Sequence, residues 1–216
     1  MSGETSQTLD RGLRLLEVLV DHPGLSVTDL AARLGTSRPA VYRLLATLEQ
    51  HGLVDRTGDG QVRLGLGVLP LARAVTPRFS DAALPVLREL ADDVGATAHL
   101  TVAEGATAEA VAVAVVEPSR TTMHVGYRVG SRHPLDSGAA GRAILLGRSG
   151  RGGRGPGFVV TEGELQEGAV GIAAPILGVA GLEASVGLVA IGRTPDLAAA
   201  GPRVIEAAGA IAAALT

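Results

Sequence analysis

Residues 25–51, LSVTDLAARLGTSRPAVYRLLATLEQH, leave this chain few ways to fold. Ser26 is a good helix N-cap, and Asp29 three positions on places an acidic group where the helix N-terminus favours it. Leu30, Ala31 and Leu34 give the short helix one apolar face. Gly35 then ends it, because glycine accepts the left-handed exit at no steric cost. Thr36 or Ser37 caps a second helix, and Pro39 sits in its first turn, where a missing N–H is harmless. In that helix Val41, Leu44, Leu45 and Leu48 recur at i, i+3, i+4, i+7, the spacing of a core-facing stripe. The opposite side carries Arg38, Pro39, Tyr42, Arg43 and Ala46. Two short helices around a glycine turn, the second with exposed Arg and Tyr near its start, make a helix-turn-helix.

A wing follows. Runs 53–56 and 61–64 flank Thr57-Gly58-Asp59-Gly60, and Asp-Gly between short alternating runs signals a hairpin. Arg56 and Arg63 lie on opposite arms, where a winged reader touches phosphates. The expected DNA-facing set is Ser26, Thr36, Ser37, Arg38, Pro39, Tyr42, Arg43, Arg56 and Arg63. The plainer reading is a helical hairpin with solvated arginines.

The phrases LDRGLRLLEVL, LSVTDLAARLGTSRPAVYRLLATLEQHGLV and RLGLGVLPLA resemble the DNA-binding domain of IclR-type bacterial transcription regulators. Further on, RVGSRHPLDSGAAGRAILL and GFVVTEGELQEGAVGIAAPI resemble the effector-binding domain of the same family. The resemblance implies a GAF-like fold for that domain. It implies a homodimer made through helices near the N-terminus and the linker, with dimers often pairing into tetramers. Double-stranded DNA, read as an inverted repeat, and a small-molecule effector are the implied partners, with no cofactor. The chain departs from the family in one place. A longer helical stretch usually precedes the Gly-Phe segment, and here only the Gly/Arg loop 148–156 remains, so the domain is shortened.

The charge agrees with a specific reader. The formal net charge is −3, so nothing attracts nucleic acid globally. Between Arg33 and Arg63, however, five Arg face three acidic residues, which makes the positive charge local. Cysteine is absent, which excludes disulfides and Cys-based zinc sites. The N-terminus lacks an apolar signal region, and the apolar run 110–116 falls far below the ~18 residues of a membrane span. A cytoplasmic protein with no membrane contact is expected.

In chain order, 9–20 reads as a first helix capped by Thr8, with Leu13, Leu16, Val18 and Leu19 for the winged-helix core. Residues 66–75 form an apolar helix, with periodicity equally consistent with a dimerising linker or a third core helix. The expected domains are 1–65, a winged helix-turn-helix; 66–76, a linker helix; and 77–216, the effector domain. That last domain opens with a helix over 81–94, followed by strands over 97–103, 108–116 and 121–129. A small-residue helix over 138–146 comes next, then strands over 170–177 and 184–191 and a closing helix over 197–215. Helices at both ends of an antiparallel sheet define an α+β fold.

No catalytic constellation survives inspection, so the chain reads as a non-enzyme. The loop RSGRGGRGPG lacks the Gly-Lys-Ser/Thr of a phosphate-binding loop. His99, His124, His133 and Asp136 match no usual metal spacing, and structural or ligand-facing histidines are the better reading. The resemblance places the ligand at the start of the small-residue helix, on Asp136, Ser137, Gly138, Ala139 and Ala140, under a loop that brings Glu162, Glu164 and Gly171. Backbone N–H groups at such a start receive acceptors. Asp136 stands where family members often carry His, and Val189 and Ile191 replace polar positions. The expected ligand is therefore small and rather apolar, with one donor for Asp136 or Glu164, and not a simple keto acid. The plainer reading is that Ala139, Ala140 and Gly141 merely allow close helix–sheet packing. For the whole chain, the alternative to a ligand-responsive regulator is a small-molecule-binding or enzymatic domain whose helix-turn-helix-like segment serves only assembly.

Overall fold

The computed structural model describes residues 5–75, 77–105, 107–119, 127–150, 157–192 and 196–216. It divides the chain into two compact units, 1–75 and 76–216.

In the first unit, helix α1, Gln7–Asp21, starts two residues before the expected position. Ser6 rather than Thr8 caps it, its hydroxyl accepting from the Leu9 N–H in an extended conformation. Leu15 and Leu19 are buried, whereas Leu13 is 52% exposed, so the core face is rotated from the expected one. Helix α2, Val27–Arg33, carries a complete capping box between Ser26 and Asp29. Gly35 exits at φ 60°. Helix α3, Arg38–Gln50, is capped by Ser37 in extended backbone and buries Val41 and Leu45. Strand β1, Leu25–Ser26, joins β2, Val54–Arg56, and β3, Gln61–Leu64, in the antiparallel order β1-β3-β2. Two residues carry no readable period, so β1 is visible only through its pairing of Leu25 with Val62. Helix α4, Val68–Val75, follows. Leu66, Leu69 and Leu71 around it are 77%, 58% and 60% exposed, which is not how a core helix sits.

The second unit holds a six-stranded antiparallel sheet, with β4, Thr97–Glu104, and β5, Glu109–Val116, near one side. Strands β6, Arg132–Pro134, and β7, Val159–Glu162, are short edges, while β8, Ala169–Ile176, and β9, Ala184–Ile191, are central. The order is β6-β5-β4-β9-β8-β7. The strand expected over 121–129 and the Gly/Arg loop 148–156 lie largely outside the described residues. Neither β6 nor β7 was expected, because three or four residues show no periodicity.

Side-chain alternation assigns the two faces. Leu100, Ile172, Ala174, Val186 and Leu188 bury against helices α5, Pro77–Val94, and α7, Leu197–Leu215, through Leu87, Leu90, Val204 and Ile211. Ala173, on the opposite face, packs with Ala139 and Ala143 of helix α6, Gly138–Arg148. By length and composition α7 is apolar enough to cross a membrane. Arg203 and Glu206 interrupt its apolar run, and its inner face belongs to this core.

Candidate functional site

On the first unit, the start of α3 presents Arg38, Pro39, Tyr42 and Arg43 to solvent, while Val41 and Leu45 on its other side are fully buried. The helical period separates them: one stripe anchors the helix and leaves the other outward. Ser37 makes no side-chain cap bond. Arg38, Arg43 and Arg63 form no ion pair among the described residues.

Two nominated residues already have partners within the chain. The Ser26 hydroxyl accepts from the Asp29 N–H at 3.2 Å and donates to its carboxylate at 2.6 Å. The Arg56 guanidinium grips the Glu49 carboxylate with both prongs, Nε at 2.5 Å and Nη2 at 2.7 Å, and lies 5.8 Å from the Tyr42 ring centroid. That donated hydrogen bond holds the Glu49 carboxyl below its usual range. Sequence reasoning missed this pairing, since no local pattern links α3 to β2.

On the second unit, a cavity of about 250 Å³ opens between α6 and the sheet face it covers. Gly138, Ala139 and Ala140 form one wall, His99, Thr161, Gly171 and Val189 the floor, and Leu165 and Gln166 the rim. Gly138 takes φ 76°, a left-handed conformation that favours glycine, and a Cβ there would fall 2.5 Å from a Leu165 methyl, so a side chain would have to displace the rim. Of the expected ligand residues, Gly138, Ala139, Ala140 and Gly171 line the cavity. Asp136 and Glu162 are exposed and outside the lining, and Ser137, half-buried, is also outside it. Glu164 instead accepts the Gly138 N–H at 2.8 Å and pairs with Arg142 at 3.1 Å. The helix N-terminus therefore already holds a carboxylate, the chain's own. The small residues serve both expected roles: Ala139 and Ala143 pack on Ala173, and Gly141 lies against the Leu135 backbone, while Ala139 and Ala140 also face the cavity.

The sequence did not disclose a buried polar chain in the cavity wall. His99 Nδ1 lies 3.1 Å from Thr101 Oγ1, which lies 3.3 Å from the Tyr127 hydroxyl. That hydroxyl lies 3.3 Å from His133 Nε2, and His133 Nδ1 lies 3.1 Å from the Pro134 carbonyl. His99 and Tyr127 meet edge-on, with centroids 5.0 Å apart. Burial, followed by the neighbouring His133, pushes the His99 imidazole down to about 3. Burial also raises the Tyr127 phenol. Beside the mouth, Arg132 donates to Glu104 at 2.5 Å and holds that carboxyl at about 2. The sequence reads His99 and His133 as structural or ligand-facing histidines without joining them, and it gives no signal for Tyr127.

A winged helix-turn-helix unit joined to an α+β unit with a ligand-sized cavity defines a two-part class of protein. The family model described as the IclR helix-turn-helix domain matches residues 8–58. The one described as the bacterial transcriptional regulator IclR C-terminal domain matches residues 78–149. Together they cover more than half of the chain, and the chain belongs to the IclR family. Among curated relatives, the HTH-type transcriptional regulator KipR of Bacillus subtilis is 30% identical over 142 residues, 65% of this chain and 56% of its own. The HTH-type transcriptional regulator Rv1719 of Mycobacterium tuberculosis is 36% identical over 141 residues, 64% of this chain and 53% of its own. The chain thus spans about half the length of the curated relatives it matches. An IclR homolog from Microbacterium hydrocarbonoxydans, solved with 4-hydroxybenzoate, superposes with TM-score 0.82 at 22% identity, over 97% of this chain and 99% of that one. At that identity the likeness concerns the fold.

Proposed function

We propose that this chain is a DNA-binding transcriptional regulator whose operator affinity responds to a small molecule held in the second unit's cavity. One observation carries the reading: the first turns of α3 expose two arginines and a tyrosine on the side away from a fully buried anchor stripe. A helix serving only assembly has no reason to keep that face cationic. Arg38 and Tyr42 reach base edges in a major groove, and Arg43 and Arg63 hold phosphates. Ser37 and Pro39 shape the approach of the helix start, with Thr36 beside them. Ser26 supports the reading helix through its capping box, and Arg56 contributes through its Glu49 pair rather than as a free cation.

The protein acts as a homodimer through the apolar surface of α1 and α4, where Leu9, Leu13, Leu69 and Leu71 are exposed. Two-fold symmetry in the protein calls for an inverted repeat in the operator. For the effector, the cavity's size and the apolar surface given by Ala139, Leu165 and Val189 favour a single-ring molecule, in keeping with the ligand in the Microbacterium homolog. The test is fluorescence anisotropy with DNA from upstream of the chain's own gene. Arg38→Ala should lose on the order of 1–3 kcal/mol and relax sequence preference. Arg63→Ala should weaken all sequences alike and lower the salt slope by about one. Parent-like preference and salt slope in both variants would refute the assignment.

A further inference from the structure

The polar chain in the cavity wall has a direction, and the direction specifies a ligand. The Pro134 carbonyl can only accept, so His133 Nδ1 carries a hydrogen, and in the neutral ring the lone pair then lies on Nε2. The Tyr127 hydroxyl must then donate to Nε2. With its one hydrogen committed, that oxygen accepts from Thr101, and Thr101 in turn accepts from His99 Nδ1–H. His99 Nδ1 therefore carries a hydrogen, and because burial keeps the ring neutral the lone pair lies on Nε2. This nitrogen makes no hydrogen bond among the described residues, yet no enclosed side-chain nitrogen or oxygen there lacks a partner. Nε2 must open onto the cavity that His99 lines, although the residue as a whole is only 4% exposed. At the opposite wall, Glu164 already fills the anion-receiving start of α6. Between the two ends Ala139, Val189 and Leu165 supply apolar surface, with Thr161 and Gln166 polar among them, and the one cation among the described lining residues, Arg132, is already paired with Glu104 and Glu109.

We propose that the cavity selects ligands carrying a neutral hydroxyl on an apolar ring, and that His99 Nε2 accepts the hydroxyl hydrogen. This rests on the reading of the cavity as an effector site and names its chemical class. A carboxylate at the His99 end would set lone pairs against a lone pair, and at the α6 end it would meet Glu164. Burial keeps His99 from solving the first problem by protonation. The cavity would hold about eight waters at ~30 Å³ each, which suits one ring.

The experiment uses the full chain, labelled with ¹⁵N in its histidines, at neutral pH, with phenol, anisole and benzoate as probes. Free protein should show His99 protonated at Nδ1 and not at Nε2. Phenol should move the Nε2 resonance and bind at least ~10-fold more tightly than anisole, which keeps the ring and lacks the donor. His99→Leu should bring that ratio to about one while anisole still binds. Should that variant fail to fold, the parent's ratio and tautomer decide the matter. Equal binding of phenol and anisole, tightest binding of benzoate, or a hydrogen on Nε2 overturns the donor requirement alone. If no probe moves the His99 or His133 ring signals, the effector reading of the cavity falls with it.

Discussion

Lowering the pH from 7 to 5 should destabilise the second unit by about 2 kcal/mol through His99 alone. The ordinary imidazole value is 6.5, and burial brings His99 down to about 3 in the folded chain. Below 6.5 the unfolded chain takes up a proton that the folded one refuses. The stability is complete above 6.5 and is lost as pH falls towards 3, at about 1.4 kcal/mol per pH unit. Only the portion of the descent below 6.5 counts, some 1.5 units, which gives the figure of about 2 kcal/mol. Glu104 has the same sign but acts in a lower pH window. Its carboxyl is held at about 2 against an ordinary 4.5, so its contribution is complete above 4.5 and changes little within this window. The assay is urea unfolding followed by far-ultraviolet circular dichroism, for the parent and for His99→Gln. The amide keeps a partner for Thr101 but does not titrate, so drift from other groups cancels in the difference. Parent and variant should diverge by about 2 kcal/mol between pH 7 and 5. Equal pH slopes would show that the ring is not held neutral by burial.

Three further outcomes follow from the packing and pairing. Glu49→Gln releases the Arg56 guanidinium, so non-specific DNA affinity should rise and the salt slope steepen by about one, measured by anisotropy across a salt series. Ser26→Ala removes the hydroxyl half of the α2 capping box, leaves the backbone N–H of residue 26 bonded to Asp29, and should cost about 1 kcal/mol in the first unit's unfolding transition. In Gly187→Ala the new methyl would lie 2.6 Å from the Ile172 carbonyl oxygen and 2.9 Å from His99 Cε1. It should cost about 1–3 kcal/mol in urea unfolding and shift the His99 ring resonances.

The helix-turn-helix was legible because its determinants are local. The Ser26–Asp29 box, the Gly35 exit and the Val41–Leu48 stripe each act within a few residues, and a sequence shows such relations directly. Where two local signals competed, the structure decided. Ser6 took the α1 cap from Thr8, and with the helix seated on α3, Leu15 rather than Leu13 turned inward. The long helices and strands of the second unit were also readable, since each shows several periods. Strands β1, β6 and β7 were not, because two to four residues gain their hydrogen bonds from a neighbour and carry no pattern of their own.

The functional details depend on register. Arg56 reaches Glu49 because β2 returns along α3, a closure that no spacing rule contains. Thr101 and Tyr127 stand 26 positions apart and meet in the cavity wall. His133 joins them because β6 pairs with β5 opposite Ala110, while β4 sets His99 across from Gly187, whose missing side chain leaves room for the ring. The sequence by itself determined which residue types were available and which local elements they form. Only the tertiary structure decided that Glu164 would occupy the start of α6 and that Asp136 would face solvent. It also directed a chain of hydrogen bonds from the Pro134 carbonyl to an open nitrogen on His99. The physical reason is that local bonds are written into neighbouring residues, whereas the meeting of distant ones follows from strand register and from the single acceptor at the end of the polar chain.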